Sequence, residues 1–341
     1  MDIEAVIAQP ITPIYRRINW VIRTIGYSMV FITLIYLINN YLIVWREWPG
    51  VVQYFLNQSE ATQNQGLLAW LQLLSYLAVV PIALYRMVTT PAHRMIDDSQ
   101  RLSDWSAYLI RVAFWSVVLI GLFDGLLSWM RVEDLLLPVF GQELASNLGK
   151  SIFRGSYVHY PLILVSMLMA YRIKTVSMSW LALLVVFAEL WIVVARFIFS
   201  YEQTLMGDLV RFWYAGLFLF ASAYTLKEEG HVRVDVIFAG KSVQYKAWVN
   251  SVGVVVLGLP LCWVILTLGM WDSTSIINSP LASFEISQSG YGLFIKYLMA
   301  GFLVVFAVSM ILQFCSYLLK NVAILVGEVE VIQDQHDDVM A

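Results

Sequence analysis

Ionisable side chains are what this chain has least of. Asp, Glu, Lys and Arg make up 13% of its 341 residues, against 60% hydrophobic, and the formal net charge is -3. Such a balance, with no basic run beyond Arg16-Arg17, gives nucleic acid no electrostatic footprint, so no nucleic-acid partner is expected. Cysteine is nearly absent too. Cys262 and Cys315 both fall inside apolar stretches, where each behaves as a small hydrophobe, so neither a disulfide framework nor a metal-ligand spacing is present. No internal repeat is visible by inspection. The first apolar stretch is too long for a signal-peptide core and no small-residue cleavage pattern follows it, so it is expected to be retained as a membrane helix.

What the chain does have is apolar length. Its mean hydropathy is +0.72, more than a soluble domain needs. A hydrocarbon core is crossed by roughly 20 apolar residues, and about eight such stretches occur. They run approximately Trp20–Val44, Leu67–Tyr85, Tyr108–Trp129, Tyr157–Tyr171, Trp180–Phe199, Leu209–Leu226, Ala247–Met270 and Tyr291–Leu319, the fourth being short and opened by Pro161. The expected fold class is all-α, a polytopic integral membrane helical bundle of about eight transmembrane helices. Trp20, Trp45, Trp129, Trp180 and Trp271 fall at stretch ends, where amphipathic rings prefer the headgroup level. If the connections alternate sides, 14 of the 21 Lys and Arg lie with the N-terminus, the 86–111, 172–174 and 227–246 segments and Lys320, and 7 lie opposite. Positive charge stays in the cytoplasm, so both termini are expected there. An even number of spans requires the same.

Most of the polar residues near one span end are gathered in Tyr224-Thr-Leu-Lys-Glu-Glu-Gly-His-Val-Arg-Val-Asp235. Read as an extended strand, it places His231, Arg233 and Asp235 on one side and the intervening valines on the other. This segment closely resembles the signature of the small membrane subunit of tripartite ATP-independent periplasmic (TRAP) transporters, the DctQ-like family. Two further elements fit in order and spacing. Arg196-Phe-Ile-Phe199 is similar to the family's Arg-aromatic-x-Phe, and Ser283-Phe-Glu285-Ile-Ser287 to its Glu-x-Ser. One position departs: Asp208 stands where family members usually place Glu. The resemblance covers residues 176–322, a four-helix membrane domain. It leaves 1–175 as an additional N-terminal membrane region of about four helices, and 323–341 as an acidic cytoplasmic tail that reads as solvated from Gly327 onward.

The resemblance implies a small permease subunit in a bacterial inner membrane. Such a subunit scaffolds a large membrane subunit that holds the sodium and substrate sites, while a periplasmic substrate-binding protein delivers an organic acid. The chain itself is then expected to be no enzyme and to need no cofactor. Membrane lipids are the remaining partner. A self-sufficient transporter or channel would need converging intramembrane polar residues, and a membrane-embedded enzyme would need a nucleophile or metal constellation near one face; neither set is visible in the sequence.

The candidate contact residues follow. Glu189 and Arg196 are seven positions apart and share a helix face to within roughly 20°. Asp208 and Arg211 are spaced to pair on one helix. Arg233 and Asp235 suit a charged turn that locks two helices, with His231 beside them, and Glu285 precedes the last helix. Asp124, His159 and Lys296 are read as residues that hydrogen-bond or snorkel locally, without a mechanistic role. In the segment near 135–153, Leu137, Phe140, Leu144, Leu148 and Ile152 form an apolar stripe. Such a helix either lies at the periplasmic membrane surface or caps its own bundle.

Overall fold

Hydrocarbon offers a backbone no water to bond, so a spanning segment must satisfy its N–H and C=O groups internally. The computed structural model describes residues 13–56, 63–175, 177–202, 204–228, 238, 240–287 and 292–329. Among these the regular elements are all helical. They are α1 (Pro13–Arg46), α2 (Val51–Leu56), α3 (Gln63–Leu77), α4 (Val79–Thr89), α5 (Met95–Val132), α6 (Leu136–Leu148), α7 (Ser151–Arg154), a π turn (Gly155–His159), α8 (Tyr160–Arg172), α9 (Met178–Phe199), α10 (Thr204–Lys227), α11 (Val243–Gly253), a second π turn (Val254–Gly258), α12 (Leu259–Gly269), α13 (Asn278–Ser283) and α14 (Lys296–Leu325).

Among the described residues, seven helical runs are long and apolar enough to cross a membrane: α1, α3–α4, α5, α9, α10, α11–α12 and α14. The protein is an all-α polytopic membrane bundle. The eighth expected stretch is helical as well, in the run from α7 through α8, but Arg154, His159 and Arg172 interrupt its hydropathy. Several helix hydroxyls are satisfied by their own helix: Thr24, Ser166 and Thr267 each donate to the carbonyl four residues earlier at 2.7 Å.

Proline explains where the helices deviate. Pro81 has no N–H for the carbonyl of Leu77, and α3 gives way to α4 at Ala78. Both π turns end two residues before a proline, at Pro161 and Pro260. A proline ring collides with the carbonyl four residues back, and widening that turn relieves the collision while keeping the helix continuous. Elsewhere caps set the ends. The Ser177 hydroxyl accepts the Ser179 N–H at the start of α9, and Ser200, with φ of 52°, turns the chain out of it. The amphipathic helix expected near 135–153 is not one element. Gly141, at φ 74° and ψ 169°, kinks α6, and an extended Lys150 separates α6 from α7. Only a glycine adopts the Gly141 conformation without strain, so the apolar stripe breaks there.

The chain packs as two units, each drawn from separated stretches. The first takes its described residues from Met1–Asp104, Gly230–Leu261 and Ile311–Ala341, the second from Trp105–Glu229 and Cys262–Met310. In the first unit the Arg23 and Asp98 side chains, both fully buried, pair at 2.5 Å. Tyr27 donates to the other oxygen of Asp98, and Arg86 donates to Tyr27 while lying over its ring. Glu328 belongs to the same unit. The sequence reads it as part of a solvated tail, but it is only 7% exposed. Its carboxylate accepts the N–H groups of Met95 and Ile96 and the Tyr15 hydroxyl. The first turn of a helix has N–H groups without intrahelical partners and a positive dipole end, and an acidic side chain satisfies both. Residues 330–341 lie outside the described residues.

The second unit is built on aromatic packing between α5 and α10. Phe114, Val117, Phe212, Trp213, Phe220 and Phe302 are buried together, and the Trp213 indole donates to the Val117 carbonyl at 3.2 Å. A Cβ at Gly121 would come within 2.3 Å of that indole nitrogen, so the close approach requires glycine here.

In the first unit, Gly258 of the second π turn lies against the Phe314 ring, and a Cβ there would stand 2.9 Å from it. Gly258→Ala is expected to destabilise the protein by about 1–3 kcal/mol through overpacking. Adding Phe314→Leu is expected to recover most of that loss. Thermal unfolding in detergent micelles reads both, and an unchanged midpoint for the single variant would show that the ring yields freely.

Candidate functional site

Helical spacing puts Asp124 and Ser128 on one face of α5, one turn apart, and both side chains are fully buried within the second unit. A carboxylate in that position needs donors, and three chain segments supply them. Arg154, the last residue of α7, donates through Nη1 to Asp124 Oδ1 at 2.9 Å and to Ser128 Oγ at 2.8 Å, and through Nε to the Leu148 carbonyl at 2.6 Å. His159 Nε2 lies 3.2 Å from the same Asp124 oxygen, and its Nδ1 lies 2.8 Å from the Tyr297 hydroxyl. The Phe294 N–H donates to Asp124 Oδ2 at 2.9 Å. An ionised carboxylate only accepts, so a neutral His159 carries its proton on Nε2 and accepts the Tyr297 O–H at Nδ1.

The π turn makes this convergence possible. In a regular α-helix, residues five apart diverge by about 140° around the axis. A turn closed by an i→i+5 bond, here Tyr160 N–H to the Gly155 carbonyl, holds roughly one more residue, so Arg154 and His159 stack on one side. Gly155 has a second role. A Cβ there would overlap the Phe284 ring at 2.3 Å, and that ring also packs against Tyr297 with centroids 5.1 Å apart.

Four further charged residues of the same unit act on or beside the segment leading into α14. Arg131 Nη2 donates to the Gly292 carbonyl at 2.9 Å, and Asp208 accepts the Leu293 N–H at 3.2 Å. Glu285 accepts the Tyr297 N–H at its carbonyl and pairs through its carboxylate with Lys296. The guanidiniums of Arg131 and Arg154 lie 4.6 and 4.4 Å from the Phe294 ring centroid. Asp124 and Asp208 thus satisfy backbone N–H groups just before α14, near its positive dipole end. The arrangement ties α5, the end of α6, α7, the π turn, α10 and the segment before α14 together by charge-assisted bonds. It presents no exposed nucleophile, and among the described residues no group of three His, Cys, Asp or Glu could hold a metal ion.

Of the residues singled out from the sequence, Asp208 and Arg211 approach at 3.6 Å on one helix turn. Lys296, expected to snorkel, is instead paired with Glu285. Glu189 and Arg196 are both exposed, and among the described residues neither makes an ion pair with the other. His231, Arg233 and Asp235 lie outside the described residues. The sequence reading missed Arg154 and Tyr297 altogether and gave Asp124 and His159 no common role. Pro161, two residues past His159, was the available signal that the helical period is broken there.

Both partners of the Asp124–Arg154 pair are fully buried. Arg154→Ala is therefore expected to cost about 3–5 kcal/mol by leaving a buried carboxylate short of its donor. Asp124→Leu combined with Arg154→Met is expected to cost less than either single change. The midpoint of thermal unfolding measures this, and additive losses would show that the pair is not coupled.

No family model, no curated protein and no solved structure matches this chain.

Proposed function

We propose that this chain is the small membrane subunit of a TRAP-type secondary transporter. The observation that carries the reading is Glu189. It stands midway along the 22-residue α9, exposed, among the equally exposed Val186, Leu190, Val193 and Phe197. Among the described residues it has no hydrogen-bond or ion-pair partner. A carboxylate facing lipid tails at the bilayer centre costs on the order of 2.5–3.5 kcal/mol. A second membrane subunit that brings a donor to this depth removes that cost, and α9 is the least buried of the spans, with 17% of its apolar window inside the fold.

The partner is a large membrane subunit that holds the sodium and organic-acid sites, supplied by a periplasmic binding protein. The chain scaffolds that subunit in the bacterial inner membrane, both termini in the cytoplasm, and carries no catalytic group or cofactor. The motifs at 196–199, 224–235 and 283–287 support this reading, as does the division of Lys and Arg between the two sides.

Glu189→Ala separates docking from folding by the sign of two effects. The isolated variant is expected to unfold at the same temperature or higher, because a lipid-facing charge is gone. Recovery of the large subunit by co-purification is expected to fall roughly tenfold, equivalent to about 1.4 kcal/mol. Sodium-driven uptake in liposomes should require the large subunit and the binding protein. Uptake by this chain alone, or undiminished co-purification of Glu189→Ala, would overturn the assignment.

A further inference from the structure

At the C-terminal end of α9, Arg196 and Glu202 line one small cavity of about 150 Å³, with Ala195, Tyr201 and Gly207 around it. Trp191 and Met206 form part of that cavity and also of an adjoining groove of about 350 Å³. The groove follows α5 along Gly121, Leu122, Gly125, Leu126 and Trp129, about two turns or ~12 Å of helix. All of these residues belong to the second unit. The groove is walled by apolar and aromatic side chains and two glycines, and the cavity by a cation and an anion.

Neither charge is engaged by the described residues. Among the described residues Arg196 and Glu202 make no ion pair with each other or with anything else, and the Tyr201 hydroxyl is taken up by Glu133. The cavity sits at the turn from α9 to α10, with Trp129 and Tyr201 nearby, the depth at which aromatic rings meet lipid headgroups. An occupant must be apolar along one part and carry both signs of charge at the other. A net anionic head would be attracted by Arg196 but repelled by Glu202. A quaternary ammonium would satisfy neither carboxylate lone pair with a hydrogen bond.

We propose that the cavity and groove together form a binding site for one zwitterionic aminophospholipid. Its phosphate lies on Arg196, its primary ammonium donates to Glu202, and a length of acyl chain fills the α5 groove. The site needs no second subunit, so it stands independently of the transporter assignment.

The test uses the full chain in lipid-stripped detergent micelles, offered phosphatidylethanolamine, phosphatidylglycerol and phosphatidylcholine in equal amounts, with retained lipid counted by native mass spectrometry. Phosphatidylethanolamine is expected to be retained in preference to both others. Arg196→Gln and Glu202→Gln should each reduce its retention about tenfold, the loss of one charge-assisted contact. Gly207→Leu is the fold control: a Cβ at Gly207 meets nothing within 4 Å, and leucine is the better helix former. That variant should abolish retention without lowering the unfolding temperature. Equal retention of all three lipids, preference for phosphatidylglycerol, or wild-type retention by Gly207→Leu would each overturn the site. So would loss of a co-purifying protein subunit from Gly207→Leu while its lipid stays bound, since the cavity would then belong to that protein.

Discussion

A carboxylate removed from water must be surrounded by donors, and the second unit is arranged around one such group. Asp124 draws on α7, on the π turn and on the backbone before α14. Each donor constrains something else. Arg154 reaches it only if the Leu148 carbonyl anchors the far side of the guanidinium, which fixes where α6 ends. His159 reaches it only because the helix widens. The Phe294 N–H lies two residues ahead of α14, which begins at Lys296, and is satisfied by Asp124 in place of a helical partner. Replacing the charges with hydrocarbon is often tolerated in proteins, whereas halving the set is not. The network therefore reads as a means of choosing one arrangement of segments over the alternatives that their similar apolar surfaces would permit.

The first unit solves a related problem at a helix terminus. Asp98 lies in the first turn of α5 and Glu328 supplies the carboxylate for its free N–H groups. The chain leaves α14 through Gly327, whose φ of 74° allows the reversal that brings Glu328 back. An acidic residue that belongs by composition to a polar tail is thereby recruited into the fold.

Membrane class and helix content were legible in the sequence because hydropathy is a property of long windows, and seven long apolar helical runs stand among the described residues. The hub was legible only in pieces. Asp124 and His159 are visible as polar residues in apolar surroundings, but a spacing of five between Arg154 and His159 does not fit a helical face, so no sum over an α-helical wheel brings them together. Tyr297 and the Phe294 N–H are further from view, since the sequence does not mark which backbone groups lack a partner. The stripe at 137–152 failed in the opposite sense. Its period was regular, but Gly141 adopts a conformation that a period cannot register. Local spacing reports on faces of unbroken helices and is silent where proline or glycine resets the phase.

The resets carry their own consequence for how this sequence can vary. A π turn holds one residue more than the α turn it replaces, so the count of residues between Arg154 and Pro161 is itself a structural element. Substitutions on the lipid-facing side of that stretch leave the count intact. Deleting any one residue there would close an ordinary turn and swing Arg154 by about 100° about the helix axis, away from Asp124. The same holds between Gly253 and Pro260. Along most of a membrane helix it is hydrophobicity that must be preserved; in these two places it is length.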